Sequence, residues 1–504
     1  MFRTIRLILA VFCFTLITLL FLDFTGTLHR WFGWLAKIQF VPALLAMNVV
    51  VISAVIVLTL LLGRVYCAVI CPLGVYQDCI SRAAGKWKKN RFSYLPAMHR
   101  LRWTALLLFI IALAAGINAA VALFEPYSAY GRIASNLFAP LYQGGNNLAA
   151  YEAERFGSDT FYPVEVWTKS TVTLTVAVVT FMVITVSAWR SGRIYCNTVC
   201  PVGTVLGSLS RFSFFKPAVN TEKCIRCGLC VRNCKSSCID RKTYTIDYSR
   251  CVSCMNCIEK CKQKALTFVS QHKTDEPVNH PSINNADVPK QNAAARRLFI
   301  SVTALFALTN VLKAQEKSAD GSSHGGLAVI EEKKSLRRTI PVIPAGSQSA
   351  QNMMRHCTAC QLCVSVCPNQ VLRPSADWTK WMQPEMSFER GYCRPECTKC
   401  SEVCPTKAIL PITAADKSAV QIGHAVWIKD KCAVIRDKVT CTNCERHCPA
   451  AAITLVPQDT GKNALKIPVI DTERCIGCGA CENLCPVRPL SAVYVAGHER
   501  HRTV

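Results

Sequence analysis

The stretch Cys224-Ile-Arg-Cys227-Gly-Leu-Cys230-Val-Arg-Asn-Cys234, followed by Cys251-Val-Ser-Cys254-Met-Asn-Cys257-Ile-Glu-Lys-Cys261, decides the fold. Both runs are C-x2-C-x2-C-x3-C. Three thiolates at this spacing hold three corners of an iron–sulfur cube, and in chains with two such runs the fourth cysteine ligates the other cube. Cys224, Cys227, Cys230 and Cys261 are therefore expected to hold one [4Fe–4S] cluster, and Cys251, Cys254, Cys257 and Cys234 a second. Structural zinc sites use paired C-x2-C knuckles and seldom eight cysteines in two such runs. Lys235 and Lys262 stand where proline usually follows the fourth cysteine, which changes the turn but removes no ligand.

Four further runs lie downstream. Cys357, Cys360, Cys363, Cys367 and Cys475, Cys478, Cys481, Cys485 are regular, each followed by proline. Cys393, Cys397, Cys400, Cys404 has one extra residue in its first gap. In the third run Cys432 precedes Cys441, Cys444 and Cys448 by nine positions, so Ala433–Thr440 is expected to fold back as a short hairpin. Six clusters are expected in all. Neighbouring runs could share ligands, or outer runs could pair with outer and inner with inner; spacing leaves both open.

These runs absorb 24 of the 31 cysteines. Cys13, Cys79 and Cys238 read most simply as structural side chains. Cys67, Cys71, Cys196 and Cys200 differ, because they belong to a repeat. Gly63-Arg-Val-Tyr-Cys67-Ala-Val-Ile-Cys71-Pro-Leu-Gly74 recurs as Gly192-Arg-Ile-Tyr-Cys196-Asn-Thr-Val-Cys200-Pro-Val-Gly203. The two C-x-x-x-C-P motifs could bring four thiols together as an additional redox or metal site, form a redox thiol pair, or only shape a helix turn.

Length and composition bound the rest. At 504 residues the chain is long enough for about three domains. Disulfide scaffolds are typically short secreted chains, so this cysteine content points to metal ligation. The chain contains no C-x-x-C-H motif for covalent c-type haem, no G-x-G-x-x-G and no P-loop, which argues against a nucleotide cofactor. The net charge of +26 does not imply nucleic-acid binding. Six oxidised clusters with their thiolates would lower it to about +14, and much of the remaining positive charge flanks apolar spans, where it sets topology.

Four charge-free stretches, Leu7–Leu22, Val41–Leu62, Trp103–Phe124 and Thr171–Trp189, are expected to cross a bilayer. The segment Arg64–Arg102 carries eight basic residues against Asp78 alone, whereas Glu125–Lys169 carries three against five acids. The positive-inside rule then places the N-terminus and the first ferredoxin runs in the cytoplasm. A fifth apolar run, Leu298–Leu312, follows Arg296-Arg297 and resembles an export segment; if it spans, everything from Cys357 onward is periplasmic. The expected architecture is multi-domain. Residues 1–215 form an α-helical membrane bundle and residues 216–270 an α+β two-cluster ferredoxin module. A linker (271–295), a fifth span (296–314) and a second linker (315–350) lead to a four-cluster polyferredoxin domain at 351–504. The expected location is a bacterial inner membrane.

Without a nucleotide motif, and with half the chain in a bilayer, a quinol is the natural electron donor. Its oxidation releases protons, so a carboxylate or phenol near the interface would help. Glu125 with Tyr127 is one candidate; His29, beside Trp31 and Trp34, is another. Arg226, Arg232 and Lys235 are expected either to raise cluster potentials or to form a solvated docking face.

Residues 1–270 resemble the membrane ferredoxin subunit of periplasmic nitrate reductase systems (NapH type), through the four spans, the two C-x-x-x-C-P segments and the two-cluster module. Residues from about Ala294 onward resemble periplasmic ferredoxins of the NapG/MauM type, through Arg296-Arg297, Pro344–Gly346 and the four proline-terminated cysteine runs. The resemblance implies a quinol dehydrogenase component of anaerobic respiration. It would draw on the membrane quinol pool and pass electrons to a periplasmic reductase or cytochrome. Similar membrane modules in regulators and oxidase assembly proteins keep a redox maturation or regulatory role as the alternative. A scaffold with merely structural clusters is a third reading.

Overall fold

The computed structural model describes residues 2–87, 92–158, 160–220, 222–270, 331–458 and 465–503. The expected fifth span and its twin arginines lie outside the described residues.

Two helices are long and apolar enough to cross a membrane: α1 (Phe2–Leu22) and, further along, Thr171–Ser191. The other two expected spans are each broken near one end. Val41–Leu62 divides into Phe40–Leu45 and α2 (Val49–Leu62), because Met47 adopts a left-handed conformation (φ 52°) and the Asn48 side chain accepts from Val51 N–H to start a new helix. Trp103–Phe124 divides at Gly116 (φ 70°) into α3 (His99–Ala114) and Asn118–Phe124. Charge-free composition concealed the break at Met47. Val50 and Val57 of α2 and Trp103, Leu107 and Ile111 of α3 are exposed, so these helices turn apolar faces outward.

Residues 126–155 run as one helical path that widens into a π-helical turn at Ala134–Phe138. The two motif repeats fold alike. After each apolar helix, Gly63 or Gly192 takes positive φ, a short helix carries the first cysteine, and proline opens the next helix at Pro72–Trp87 or Pro201–Leu209.

The first ferredoxin module is closed by an antiparallel pair, β1 (Phe215–Val219) with β2 (Leu266–Ser270). It sits at the N-terminal end of α1, where Arg3 pairs with Glu259. Downstream, β3 (Leu372–Pro374) pairs with β4 (Pro384–Met386), β5 (Val420–Trp427) with β8 (Val493–Thr503), and β6 (Ile453–Pro457) with β7 (Lys466–Ile470), all antiparallel. The approach from Lys333 onward already packs on this module: the Lys333 ammonium donates to the carbonyls of Glu482, Asn483 and Cys485, and Val342 is fully buried. Ala433–Arg436 returns the chain from Cys432 as a helical turn, in place of the expected hairpin.

The downstream module sits at the other end of α1. Lys399 donates to the carbonyl of Thr25 at 3.0 Å, and Asn136, on the π-helical turn, donates to Gln361 at 2.8 Å. A helix of 21 residues is about 30 Å long, so the two ferredoxin regions lie on opposite ends of a membrane-length bundle.

Candidate functional site: paired cysteine sets

In each run a left-handed residue or tight turn precedes a short helix bearing the third cysteine. Gly228, Met255, Gln361 and Gly479 have positive φ at that place and start the helices Leu229–Arg232, Asn256–Lys260, Leu362–Ser365 and Ala480–Leu484. The helix turns one cysteine inward while the extended loop before it aims two more at the same space.

The first module groups its eight run cysteines into two sets. Cys224, Cys227, Cys230 and Cys261 line one cavity of about 250 Å³, and Cys234, Cys251, Cys254 and Cys257 line a second. In the downstream half, neighbouring runs pair. Cys404 lies in electrostatic reach of Cys357, Cys360 and Cys363, and Cys367 of Cys393 and Cys400. Cys448 lines a pocket with Cys475, Cys478 and Cys481. Cys432 is near Cys444, and packs beside Cys485. Among the described residues no three His, Cys, Asp or Glu side chains converge on a single-ion site.

Burial makes these thiols poor acids by themselves. It pushes Cys357 and Cys478 up to about 12, and Cys230 and Cys444 to about 11. Holding four such groups together as thiolates requires compensating positive charge, which iron supplies; the donor set fits [4Fe–4S] clusters, and their binding is coupled to folding.

Cys238, expected to be structural, stands between two cluster cysteines. Its sulfur is 3.4 Å from that of Cys234, and its thiol also reaches Cys251. That hydrogen bond holds Cys234 down at about 7 and lowers Cys251. The sequence signal was a fifth cysteine four residues after Cys234. Lys235, expected to tune potentials or to form part of a docking face, is buried and pairs with Asp78 at 3.0 Å, so it does not join a solvated face; Arg226 and Arg232 are exposed.

The expected proton-handling residues separate. Glu125 is buried and caps the helix Pro126–Ile133, accepting from the backbone N–H groups of Tyr127 and Ser128. Tyr127 is buried next to Glu125, with Cys360 and Cys404 in electrostatic reach. His29 belongs to another network, with Asp23 at 3.2 Å, while Trp31 and Trp34 are exposed. None of Glu125, Tyr127 and His29 lines the large cavity of about 580 Å³ that opens between the bundle and the downstream module. Its wall includes Phe24, Asn136, Tyr162, Lys169, Leu174 and Cys367. Lys169, which sequence reasoning missed, thus shares a cavity with a cluster cysteine.

Similarity to known proteins agrees with this geometry. Residues 44–90 and 173–220 match a family described as 4Fe-4S binding domain, residues 356–408 and 439–488 the 4Fe-4S dicluster domain, and residues 244–267 a further 4Fe-4S binding domain. The ferredoxin-type protein NapF of Escherichia coli K12 is 30% identical over 156 residues, covering 31% of this chain and 86% of NapF. The methylamine utilization ferredoxin-type protein MauM of Methylobacillus flagellatus is 29% identical over 167 residues, covering 32% and 70%. The ferredoxin-type protein NapG of Haemophilus influenzae is 30% identical over 190 residues, covering 34% and 66%. No solved structure matches the chain. With its cysteines folded into paired four-thiol sets and most of a NapF-length protein contained within it, this chain belongs to the ferredoxin-type iron–sulfur electron-transfer proteins.

Proposed function

We propose that the chain is a membrane-bound quinol dehydrogenase component that passes electrons from quinol to a periplasmic reductase system. The observation that carries this reading is the cavity of about 580 Å³, which has the size of a ligand site. It lies at the Leu22 end of α1 and the Thr171 end of Thr171–Ser191, where a lipid-soluble molecule would leave the bilayer, and Cys367 forms part of its wall. Phe24, Tyr162 and Leu174 supply apolar surface for a quinol ring, and the Lys169 ammonium stabilises a quinol oxygen as its proton departs. Bound [4Fe–4S] clusters would supply one-electron carriers. Cys357, Cys360, Cys363 and Cys404, with Cys393, Cys397, Cys400 and Cys367, hold two such sites side by side for a donor that releases two electrons and two protons.

The ends of α1 support a two-sided topology, with the basic Arg64–Arg102 segment and first module cytoplasmic and the downstream module periplasmic. Six clusters on the 24 run cysteines complete this reading. In anaerobic proteoliposomes containing a reduced quinol analogue, the visible absorbance of the clusters should bleach, and Lys169→Met should slow bleaching about 100-fold at unchanged iron content. Clusters that stay oxidised under excess quinol overturn the reading.

A further inference from the structure

One arginine of the bundle is fully buried without a protein partner. Arg132, on the helix Pro126–Ile133, is 0% exposed, and among the described residues nothing accepts a hydrogen bond from its Nε, Nη1 or Nη2. We propose that Arg132 is the charge partner of the cluster on Cys357, Cys360, Cys363 and Cys404 and raises its reduction potential.

The backbone around Arg132 is seated on the ligand loop of that cluster. A side-chain carbon at Gly131 would lie 2.5 Å from the carbonyl oxygen of Cys360. Asn136, one helical turn on, donates both to the carbonyl of Arg132 and to Gln361 Oε1, each at 2.8 Å. The guanidinium is in electrostatic reach of Cys360. The loop has unmatched groups of its own: Thr358 Oγ1 and Gln361 Nε2 are buried and lack partners among the described residues. Buried donors from bundle and loop without acceptors fit a polyanion held by this loop.

Other anions do not take up the charge. Glu125 is also in reach of Arg132, but its oxygens accept from the backbone N–H groups of Tyr127 and Ser128, at the positive end of its own helix. Cys67, Cys71, Cys196 and Cys200 are buried, with Cys71 and Cys200 each in electrostatic reach of the other motif's cysteines; Arg132 reaches Cys360 instead. Nor does Arg132 line the cavity of about 580 Å³, where Lys169 reaches Cys363 and Cys367. It therefore acts on the cluster and not on a molecule bound in that cavity.

A buried guanidinium without a counter-ion is costly, and an oxidised cluster with its thiolates supplies roughly two negative charges. One-electron reduction adds a further negative charge and makes or breaks no bond, the electron coming from the donor. A fixed positive charge in surroundings of low dielectric favours the more negative state, so the reduced cluster gains more from Arg132 than the oxidised one. As an acceptor from quinol, this cluster would take its electron more readily. That use rests on the proposed function; the charge pairing does not.

The test is a redox titration of the full chain, purified anaerobically in detergent, with soluble mediators and electron paramagnetic resonance. The signal of this cluster is identified by its loss in Cys357→Ala. Arg132→Met should keep the iron count and move that signal alone. Its reduced-to-oxidised ratio at a fixed potential should fall about tenfold, which is about 59 mV for a one-electron couple. Arg132→Lys keeps the charge and should stay close to the wild-type midpoint. Unchanged midpoints in Arg132→Met, an equal shift of every signal, or a midpoint in Arg132→Lys as low as in Arg132→Met overturns the proposal. If Arg132→Met does not accumulate, Arg132→Gln is read in its place against the same outcomes. Because no quinol enters the titration, its failure and a failure of quinol to bleach the clusters are separately readable.

Discussion

Arg193 of the second repeat donates to the carbonyl oxygen of Cys67 in the first at 2.7 Å, and Arg64 returns an equivalent bond to Cys196 at 3.1 Å. Each motif is thus held by the arginine that opens the other. The same Arg193 shares Asp78 with Lys235 of the first ferredoxin module, so one carboxylate ties bundle and module together.

Asp78→Asn should be strongly destabilising. It leaves Arg193 and Lys235 buried without their counter-charge, and removing one partner from a buried ion cluster costs about 3–5 kcal/mol. Thermal unfolding of the detergent-solubilised chain is the check. Asp78→Asn with Lys235→Met should recover part of the loss, because one of the stranded charges is then gone.

Ligand crossing in the downstream module makes a double-variant prediction. Cys367→Ser with Cys397→Ser should cost about four iron atoms, since both serve one set, whereas Cys367→Ser with Cys360→Ser should cost about eight. Iron analysis per chain distinguishes them. Equal losses would contradict neighbour pairing.

Cys238→Ala should keep the iron count and lower the midpoint potential of the cluster on Cys234, Cys251, Cys254 and Cys257. The Cys238 thiol stabilises negative charge on Cys234 and Cys251, and losing a donor to ligand sulfur disfavours the reduced cluster. A redox titration followed by electron paramagnetic resonance measures this.

Histidines on β8 make the downstream module sensitive to acid. Burial pulls His501 down to about 4, and burial with neighbouring His424 lowers His498. A lowered histidine favours the fold while it is neutral, so this stability is complete above about pH 6.5. It declines as pH falls below that value toward 4. His501→Gln should flatten the pH dependence of thermal unfolding over that window while leaving the value at pH 7.5 nearly unchanged.

Much of the site was legible because cluster ligands are a local code. Spacing alone singles out the run cysteines, and a crossed fourth ligand is the expectation that two such runs raise. Pairing in the downstream half was illegible because it depends on which short helices pack, here Leu362–Ser365 with Lys399–Val403 and Asn443–Arg446 with Ala480–Leu484. Gly116 was a readable warning of a helix break; Met47, an ordinary helix former held left-handed, was not. The ion pair of Lys235 gave no signal, because its partner Asp78 is far away in sequence. Lys169 gave no signal, since a cavity wall assembled from four separated segments has no linear pattern.

Gly131 faces the carbonyl of Cys360 so closely that a side-chain carbon there would lie 2.5 Å from that oxygen and 2.8 Å from the Phe21 ring. Gly131→Val should loosen the seating of the downstream module, keeping its iron but slowing its reduction by quinol in stopped-flow measurements. That close seating, together with the covalent link, keeps the cavity and the downstream cysteine sets in one molecule. Under the proposed function, electron transfer from a quinol bound there to those sets should be first-order and indifferent to protein dilution, where separately encoded carriers would have to find each other by diffusion.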